Sequence, residues 1–194
     1  METWGRCVRP NATATPAVDS PSSISRFRYS QPVSLETGII DRLYTGFQRR
    51  DHVAMASCYA PDAHFSDPVF TDVRGARIAA MWQMLCERAT DLRLDVLDVT
   101  ADRKYGSAHW SARYTFSRTG RPVHNVVHAR FRFADGKIAR HRDTFSLYRW
   151  ARQALGPKGV LLGWSAPVQA AIRAEAARNL DTFIADHGLT SLPE

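Results

Sequence analysis

The feature that most constrains the fold is a long run of alternating side chains in the second half of the chain. Between residues 92 and 148, apolar residues recur at every second position, in stretches separated by turn residues. Successive side chains of a β-strand point to opposite faces, so this period predicts strands with one buried face. Asp135-Gly136 is a typical hairpin turn. We therefore expect sequential strands over about 92–101, 107–117, 123–133 and 137–148.

Three segments before this run carry apolar residues at helical spacing instead. Ser34 and Asp51 are suitable N-caps for the first two helices, and Pro61 is expected to end the second. The third helix spans about residues 75–89, after a short strand at 63–66. Helices followed by consecutive antiparallel strands are typical of the α+β class. The predicted architecture is a cone-shaped curved antiparallel sheet with three N-terminal helices packed on its concave face, plus an extra C-terminal helix.

The two ends of the chain differ from this middle part. Residues 1–33 are rich in Pro, Ser, Thr and Ala without apolar periodicity, which predicts a disordered N-terminal tail. Residues 34–150 form the predicted domain. Residues 151–194 are expected to hold a loop at Gly156-Pro157-Lys158-Gly159, which matches no phosphate-binding loop. A helix over about 166–187 should follow and dock its apolar stripe on the domain or on a partner subunit.

Composition narrows the classes of partner. The net charge is +7, but the arginines are scattered rather than clustered, so no nucleic-acid partner is expected. No apolar run reaches the roughly 18 residues of a membrane-spanning helix, so no membrane partner is expected. The three cysteines match no zinc or redox spacing, and neither a metal nor another cofactor is expected. The N-terminus has no signal-peptide pattern, which predicts a cytoplasmic protein.

Two short segments resemble a known superfamily. Residues 59–69 (Tyr-Ala-Pro-Asp-Ala-His-Phe-Ser-Asp-Pro-Val) resemble the helix–strand segment of ketosteroid isomerases. Residues 131–138 (Phe-Arg-Phe-Ala-Asp-Gly-Lys-Ile) resemble the late hairpin of the whole nuclear-transport-factor-2-like superfamily. The similarity in order and spacing covers about residues 35–148. The chain thus resembles the SnoaL-like and ketosteroid-isomerase-like branch, and this resemblance implies a SnoaL-like domain with one apolar pocket between helices and sheet.

The resemblance gives Asp67 two interpretations. The matching aspartate of the isomerases faces the pocket and transfers a proton, and an apolar environment raises the pKa of such a carboxyl. The alternative is a structural role at the turn before Pro68. The isomerase phenol and protonated acid would fall at Leu43 and Ala129, which cannot donate, and Tyr44 is expected on another side of the helix. Steroid isomerisation is therefore not expected.

His141 and Asp143 are the other candidate proton-transfer groups. Being two residues apart on the last strand, they face the same side, and the hairpin alignment places that side toward the pocket. SnoaL-like cyclases carry acid–base residues on the sheet floor, so the resemblance implies a catalytic role for this pair. The alternatives are a structural ion pair or a pair at an exposed edge, and a register slip of one residue would turn both side chains outward.

Further residues are predicted to contact a ligand through ring surfaces or hydrogen bonds. Tyr114 and Asn125 are candidates to bind a ligand oxygen, with satisfied core groups as the alternative. The outer face of the strand at 123–133 is predicted either to form a homodimer interface or to be solvated. The predicted substrate-binding residues are Trp82, Trp110, Tyr114, Asn125, Phe131 and Phe145.

These observations lead to one main hypothesis and two alternatives. The main hypothesis is a small-molecule enzyme that performs cofactor-free acid–base chemistry, of isomerase, dehydratase, cyclase or hydrolase type, on a hydrophobic substrate. Its proton-transfer groups would be Asp67, His141 and Asp143. The alternatives are a noncatalytic module that binds a small apolar ligand and a protein-interaction domain. The interaction domain predicts an exposed hydrophobic patch and a filled or shallow cone. The other two hypotheses both predict a pocket, and they differ in whether Asp67, His141 and Asp143 converge on it.

Overall fold

The computed structural model describes residues 34–189, so the tail predicted at 1–33 lies outside the described residues. Within this range the chain forms six helices and six strands. In chain order they are α1 (Leu35–Arg49), α2 (His52–Ala56), β1 (Tyr59–Ser66), β2 (Val73–Arg74), α3 (Ala76–Arg88), β3 (Arg93–Ala101), β4 (Tyr105–Phe116), β5 (Arg121–Ala134), β6 (Lys137–Thr144), α4 (Leu147–Leu155), α5 (Pro157–Leu162) and α6 (Ala166–Asp186).

The six strands form one sheet in the order β2-β1-β6-β5-β4-β3. Strands β3 to β6 are joined as antiparallel neighbours, and β2 is antiparallel to β1. The α+β class is confirmed. The sheet is mixed rather than wholly antiparallel, because β1 runs parallel to β6. The chain has room for this parallel pair because α3 and four strands lie between the two segments, far more than a parallel crossover requires.

The sheet is curved and remains open, with β2 and β3 at its edges. Its pairing register shifts between Leu97 and Thr100 and again between Arg132 and Phe133. At the first irregularity, Asp98 adopts a positive φ of 53°. Extra residues of this kind bend a strand and increase its twist, so the strands coil around one concave face. The helices cover that face.

Helix α1 closes one end of the concave face. Ser34 and Thr37 form a reciprocal capping box at its start, which satisfies amide groups that the first turn leaves unpaired. Its buried residues pack into the hydrophobic core, and Tyr44 contacts the ring of Phe131 on β5. The buried apolar side chains of this helix are Ile40, Leu43, Tyr44 and Phe47.

The second helix is shorter than the sequence indicated. It ends at Ala56, and the prediction that Pro61 ends it is wrong, because Pro61 lies inside β1. Proline is tolerated there because the pairing of β1 with β6 is interrupted between Tyr59 and His64. A residue without a backbone N–H therefore removes no ladder hydrogen bond at that position.

The last strand also ends earlier than predicted. It stops at Thr144, and the following residues form α4 instead of continuing to residue 148. Ser146 caps α4 by accepting a hydrogen bond from the Arg149 amide. The predicted loop at 156–159 is the start of α5, with Pro157 in its first turn. This region therefore contains two helices that the sequence pattern did not indicate.

Helix α6 confirms the position of the predicted C-terminal helix. Its last two turns bury Leu180, Phe183 and Ile184 in the core, and it packs against α3. Ile172, earlier in the same helix, is only partly buried. The docking is therefore confined to one end of the helix.

On the outer face of β5, Val126, Arg130 and Arg132 are exposed. The expectation of a homodimer through this face stays a prediction. Among residues 34–189, no helix has both the length and the hydropathy needed to cross a bilayer.

Candidate active site

A cavity of about 870 Å³ lies between the concave sheet face, α3 and the C-terminal helices. Its volume is within the usual range of small-molecule sites. Most of its surface is apolar, and the rings of Phe65, Trp82, Trp110 and Phe145 contribute to its wall. Only a few polar side chains reach it from the sheet. The concave face is therefore not filled at this end.

The segment after residue 146 supplies a whole wall of this cavity. Trp150 of α4, Leu162 of α5 and Ile172 of α6 line it, together with other residues of α6. Besides hydrogen bonds from Gln169 to the turn that precedes it, the first half of α6 has two polar contacts to other described parts of the domain: an Arg118–Glu175 ion pair and a hydrogen bond from Arg173 Nε to the Pro68 carbonyl oxygen, 3.0 Å. It spans the cavity without entering it.

His141 and Asp143 face the concave side of β6, and both are buried. Arg140, which precedes His141, and Arg142, which lies between the two, are exposed. His141 Nε2 and Asp143 Oδ1 are 3.0 Å apart. Asp143 lines the cavity, whereas His141 lies behind it and has no surface in its wall. The pair thus has one member that a ligand can touch and one that it cannot.

A hydrogen-bonded chain leads from α3 to Asp143. Trp82 Nε1 donates to the Tyr59 hydroxyl at 3.1 Å, and this hydroxyl is 2.7 Å from His141 Nδ1. Because the phenol oxygen accepts from Trp82, its proton is directed to Nδ1. The Nε2 atom of a neutral imidazole then carries the other proton and donates it to Asp143. We call Trp82, Tyr59, His141 and Asp143 the β6 relay.

The β6 relay is held in an apolar environment. The His141 ring lies 4.4 Å from the Phe131 ring and 5.0 Å from the Phe65 ring, between centroids. Burial raises the pKa of the Tyr59 phenol well above its ordinary value, so this side chain remains a neutral hydroxyl. A buried chain with every partner present fixes its side chains in one arrangement. The carboxylate of Asp143 is therefore oriented before any ligand binds.

Asp67 follows β1 and also lines the cavity. Its Oδ1 accepts hydrogen bonds from the backbone amides of Val69, at 2.6 Å, and Phe70. The capping role is therefore present together with the cavity position. Burial is the main reason that the pKa of Asp67 rises from 3.8 to about 7, and the charge of Asp143 raises it further, against the two amides that lower it. The side chain remains partly accessible, because one side of it faces the cavity.

Tyr114 of β4 supplies a hydroxyl at the cavity wall. It accepts a hydrogen bond from Trp150 Nε1 at 2.9 Å, so its own proton can be donated to a ligand. Burial raises the pKa of this phenol, and the charge of Asp67 adds to the shift. Asn125 on β5 lines the same cavity. Trp110 Nε1 is buried and has no hydrogen-bond partner in the described part of the chain.

Of the nine residues predicted from the sequence, the cavity brings seven together: Asp67, Trp82, Trp110, Tyr114, Asn125, Asp143 and Phe145. His141 and Phe131 do not line it. Phe131 pairs with Gly106 and His141 across the sheet, near the end that α1 covers, whereas Asn125 pairs with Ala112 at the cavity end. The position of Phe131 along its strand therefore places it in the core.

The residues at and beside the isomerase positions offer the cavity no donor. Leu43 and Ala129 are fully buried apolar side chains. Tyr44, next to Leu43 on α1, is buried as well, with its ring 5.9 Å from the Trp110 ring. Its hydroxyl has no hydrogen-bond partner among the described residues, and it does not line the cavity.

Tyr59 and Trp150 are the residues that the sequence reasoning missed. The sequence predicts Tyr59 in the helix that Pro61 would end, whereas Tyr59 begins β1. The two-residue alternation of β1 is clear only at Ala63 and Phe65, because Pro61 is exposed, so the sequence gives little signal for a strand at Tyr59. Trp150 lies in a helix that the alternating pattern concealed.

No group of three or more His, Cys, Asp or Glu side chains within residues 34–189 could hold a metal ion. The polar side chains that line the cavity carry carboxyl groups, a phenol, hydroxyls, two amides and several basic groups. Such a set is suited to transferring protons and binding ligand oxygens.

A curved open sheet with helices on its concave face places the chain in the nuclear-transport-factor-2-like fold class. A family model described as the SnoaL-like domain matches residues 40–141, which is more than half of the 194 residues. The chain belongs to the SnoaL-like domain family. No curated protein has a significantly similar sequence. Helices α4 to α6 lie beyond the family match.

Solved structures with the same fold include three of different description. An LEH-like epoxide hydrolase of M. tuberculosis is 18% identical, with a TM-score of 0.53 over 66% of this chain and 92% of that one. A putative polyketide cyclase of Xanthomonas campestris is 22% identical, with a TM-score of 0.53 over 62% and 96%. A protein of Catenulispora acidiphila with a ketosteroid isomerase-like fold is 12% identical, with a TM-score of 0.55 over 61% and 93%. Identities this low establish the fold alone.

Proposed function

We propose that this protein is an enzyme that performs acid–base chemistry on a hydrophobic small molecule, of isomerase, dehydratase, cyclase or hydrolase type. Asp67 and Asp143 are the proposed catalytic residues. The observation that carries the proposal is the presence of these two carboxyl groups in the wall of one apolar cavity. Their surroundings differ, since one is held by two backbone amides and the other by the β6 relay.

The two carboxyl groups suit the two halves of a proton transfer. With a pKa of about 7, Asp67 is present in both protonated and ionised forms near neutral pH, which favours a general acid or base. Asp143 accepts a hydrogen bond from His141 and stays in a fixed orientation. In the proposed reaction one carboxylate removes a proton from a substrate carbon or from water, and the other group protonates a substrate oxygen or carbon. The pair returns to its starting state when the two protons are exchanged with solvent.

The proposed part of His141 differs from the sequence hypothesis. It has no surface in the cavity wall, so we assign it a positioning role within the β6 relay. Its ring holds Asp143 from one side while Tyr59 fixes its own tautomer. Loss of the ring would leave the carboxylate both misplaced and without its buried donor.

The cavity also indicates the class of ligand. Its wall is mostly apolar, with the Tyr114 hydroxyl, the Asn125 amide and the two carboxyl groups on the sheet side. A ligand that fits would present a hydrophobic body and one or a few oxygen atoms toward the sheet. Such a ligand is also consistent with the fold neighbours, which include a putative polyketide cyclase and an LEH-like epoxide hydrolase.

Incorporation of isotopes from labelled water into candidate compounds tests this proposal without knowledge of the natural substrate. A panel of hydrophobic ketones would be incubated with the protein in D₂O, and a panel of hydrophobic epoxides in H₂¹⁸O, with incorporation measured by mass spectrometry. We expect incorporation into at least one compound, and a decrease of about 10² to 10⁴-fold in Asp67→Asn and Asp143→Asn. Asp62→Asn is the matched control, because Asp62 is an exposed carboxylate on β1, the strand that Asp67 directly follows.

Two outcomes would contradict the proposal. Incorporation that is equal in all three variants would exclude both carboxyl groups from the chemistry. Tight binding of apolar compounds without any incorporation would favour the noncatalytic ligand-binding module, which the same cavity also supports.

A further inference from the structure

The most exposed cluster of large apolar side chains in residues 34–189 lies on α5 and the turn after it. Val160, Leu161, Leu162 and Trp164 are 49%, 70%, 53% and 66% exposed. We call these residues the α5 patch. Single exposed apolar residues are common on protein surfaces, whereas four within five positions are not explained by chance exposure.

The backbone holds the α5 patch in this outward position. A Cβ atom on Gly159 would lie 2.0 Å from the Ala151 carbonyl oxygen, so α5 can cross α4 this closely only with glycine there. The Tyr148 hydroxyl donates to the Val160 carbonyl oxygen at 3.2 Å, and Trp164 Nε1 donates to the Leu161 carbonyl oxygen at 3.0 Å. Since the inner side of α5 is occupied by backbone contacts, its large side chains must point to solvent.

The sequence around the α5 patch carries only basic charges. Between Thr144 and Glu175 the sequence contains four basic residues and no acidic residue. Arg149, Arg152 and Lys158 are exposed, whereas the fourth, Arg173, is bound to the Pro68 carbonyl. The surface therefore combines exposed apolar side chains, one of them an indole, with three available cations.

The α5 patch is also continuous with the cavity. Leu162 belongs to the patch and lines the cavity, and Lys158, one turn earlier on the same helix, lines it as well. The exposed surface and the cavity therefore meet at α5. A structure that α5 contacts would lie directly beside the entrance to the cavity.

We propose that the α5 patch docks the protein on the headgroup region of a bilayer that contains anionic lipids. Apolar and indole side chains enter the boundary between headgroups and acyl chains, while flanking Lys and Arg side chains bind the lipid phosphates and carboxylates. Charge complementarity favours an anionic partner, because the segment carries exposed cations and no acidic residue, and the exposed leucine and indole side chains beside these cations match the boundary between headgroups and acyl chains. The contact is made on the surface of the bilayer, and it replaces the expectation of no membrane partner. In this position an apolar ligand can pass between the bilayer and the cavity.

Vesicle sedimentation of the full chain tests the proposal. Vesicles of phosphatidylcholine alone are compared with vesicles in which about a third of the lipid is phosphatidylserine, over a range of salt concentrations. We expect binding to the anionic vesicles that weakens with salt. The double variant Leu161→Ser, Trp164→Ser should reduce the affinity at least about tenfold, since it removes most of the inserted apolar surface. Arg149→Gln and Arg152→Gln should each reduce it about fivefold, on anionic vesicles only.

The matched control removes equally exposed apolar side chains elsewhere. Leu35 and Val53 are 70% and 67% exposed, in α1 and α2, so Leu35→Ser, Val53→Ser should bind like the unaltered protein. Circular dichroism melting of each variant establishes that it is folded.

Three results would overturn the proposal. The first is an unaltered protein that does not sediment with anionic vesicles. The second is binding that persists in Leu161→Ser, Trp164→Ser, which would assign it to cations elsewhere in the chain. The third is a light-scattering mass that falls from dimer to monomer in this variant without vesicle binding, which would make the α5 patch an interface between two copies. None of these results depends on the proposed enzymatic activity.

Discussion

The two ends of the concave sheet face are covered by helices in different ways. At one end α1 inserts Ile40, Leu43 and Tyr44 into the sheet, and these side chains are almost completely buried. At the other end the first half of α6 passes over the sheet, and a cavity of about 870 Å³ remains beneath it. The same kind of layer, helix on sheet, thus gives a packed core at one end and a ligand-sized space at the other. The two ends differ in how far the helix side chains extend toward the sheet. Only the end where they stop short leaves space for a ligand.

The largest expected effect comes from the packed end. Leu43→Ala should lower the free energy of unfolding by about 3 to 4 kcal/mol, because it leaves a hole in a close-packed core. Ile172→Ala, at the cavity wall, should lower it by less than about 1 kcal/mol, because that side chain already borders empty space. Chemical denaturation of both variants measures the difference. Equal losses would show that the two ends are packed alike.

Helix α6 contains the same contrast within one element. Phe183→Ala should cost about 3 kcal/mol, since Phe183 is 7% exposed and belongs to the core. Val168→Ala, four turns earlier and at the cavity wall, should cost much less. Thermal and chemical unfolding of the pair would test this. A large loss for Val168→Ala would mean that the first half of the helix is also docked.

The pH dependence of stability should report on Asp67 at the open end. Its carboxyl has a pKa of about 7 in the folded chain, against 3.8 ordinarily. The folded state therefore binds this proton more tightly, and its contribution to stability is lost as pH rises from about 4 to about 7 and is constant above that. Asp67→Asn should remove the slope, so the variant should gain about 2 kcal/mol relative to the unaltered protein across that window; partial access to solvent reduces the full effect.

Denaturation of Asp67→Asn and the unaltered protein at several pH values measures the gap. Asp62→Asn, at an exposed carboxylate, should follow the unaltered protein. A gap that does not change between about pH 4 and pH 7 would contradict the assignment of the raised pKa to Asp67.

The smallest effect is expected where the two ends meet, at the β6 relay. Tyr59→Phe removes one hydroxyl and leaves Trp82 Nε1 and His141 Nδ1 without their partner. The loss should be about 1 to 2 kcal/mol. Tyr105→Phe is the control, because Tyr105 is exposed, and its loss should be near zero. If the two losses are the same, the relay does not contribute to stability.

The packed part of this molecule could be predicted from sequence better than the open part. The period of apolar residues predicted α1, α3 and the strands β3 to β5, because these elements bury one side against a continuous core. It failed after Thr144, where Phe145 and Leu147 continue the two-residue alternation although β6 has ended and α4 begins at Leu147. The sequence predicts a loop at Gly156 and Gly159, whereas in the structure Gly159 permits the close crossing of α5 and α4. The need for glycine at this position arises from the contact between the two helices, so the sequence of neither helix shows it as a periodic pattern.

The candidate site could likewise be predicted from the sequence only in part. The face of β6 that carries Asp143 follows from strand alternation, and Asp67 follows from the resemblance. That His141 lies behind the wall does not follow from either, because the depth of a residue depends on how far along the sheet the cavity begins. Tyr59 and Trp150 enter the site through hydrogen bonds between distant segments, which a local pattern does not contain.

The few contacts of the first half of α6 have a consequence for kinetics. A ligand that leaves the cavity past that half of the helix requires the helix to move, so the rate of exit by this route depends on the Arg118–Glu175 ion pair and the Arg173–Pro68 hydrogen bond rather than on the groups that recognise the ligand. Both side chains of the ion pair are exposed, so dissolved salt screens their attraction. Raising the ionic strength should therefore speed both entry and exit of a neutral ligand while leaving its equilibrium affinity nearly the same.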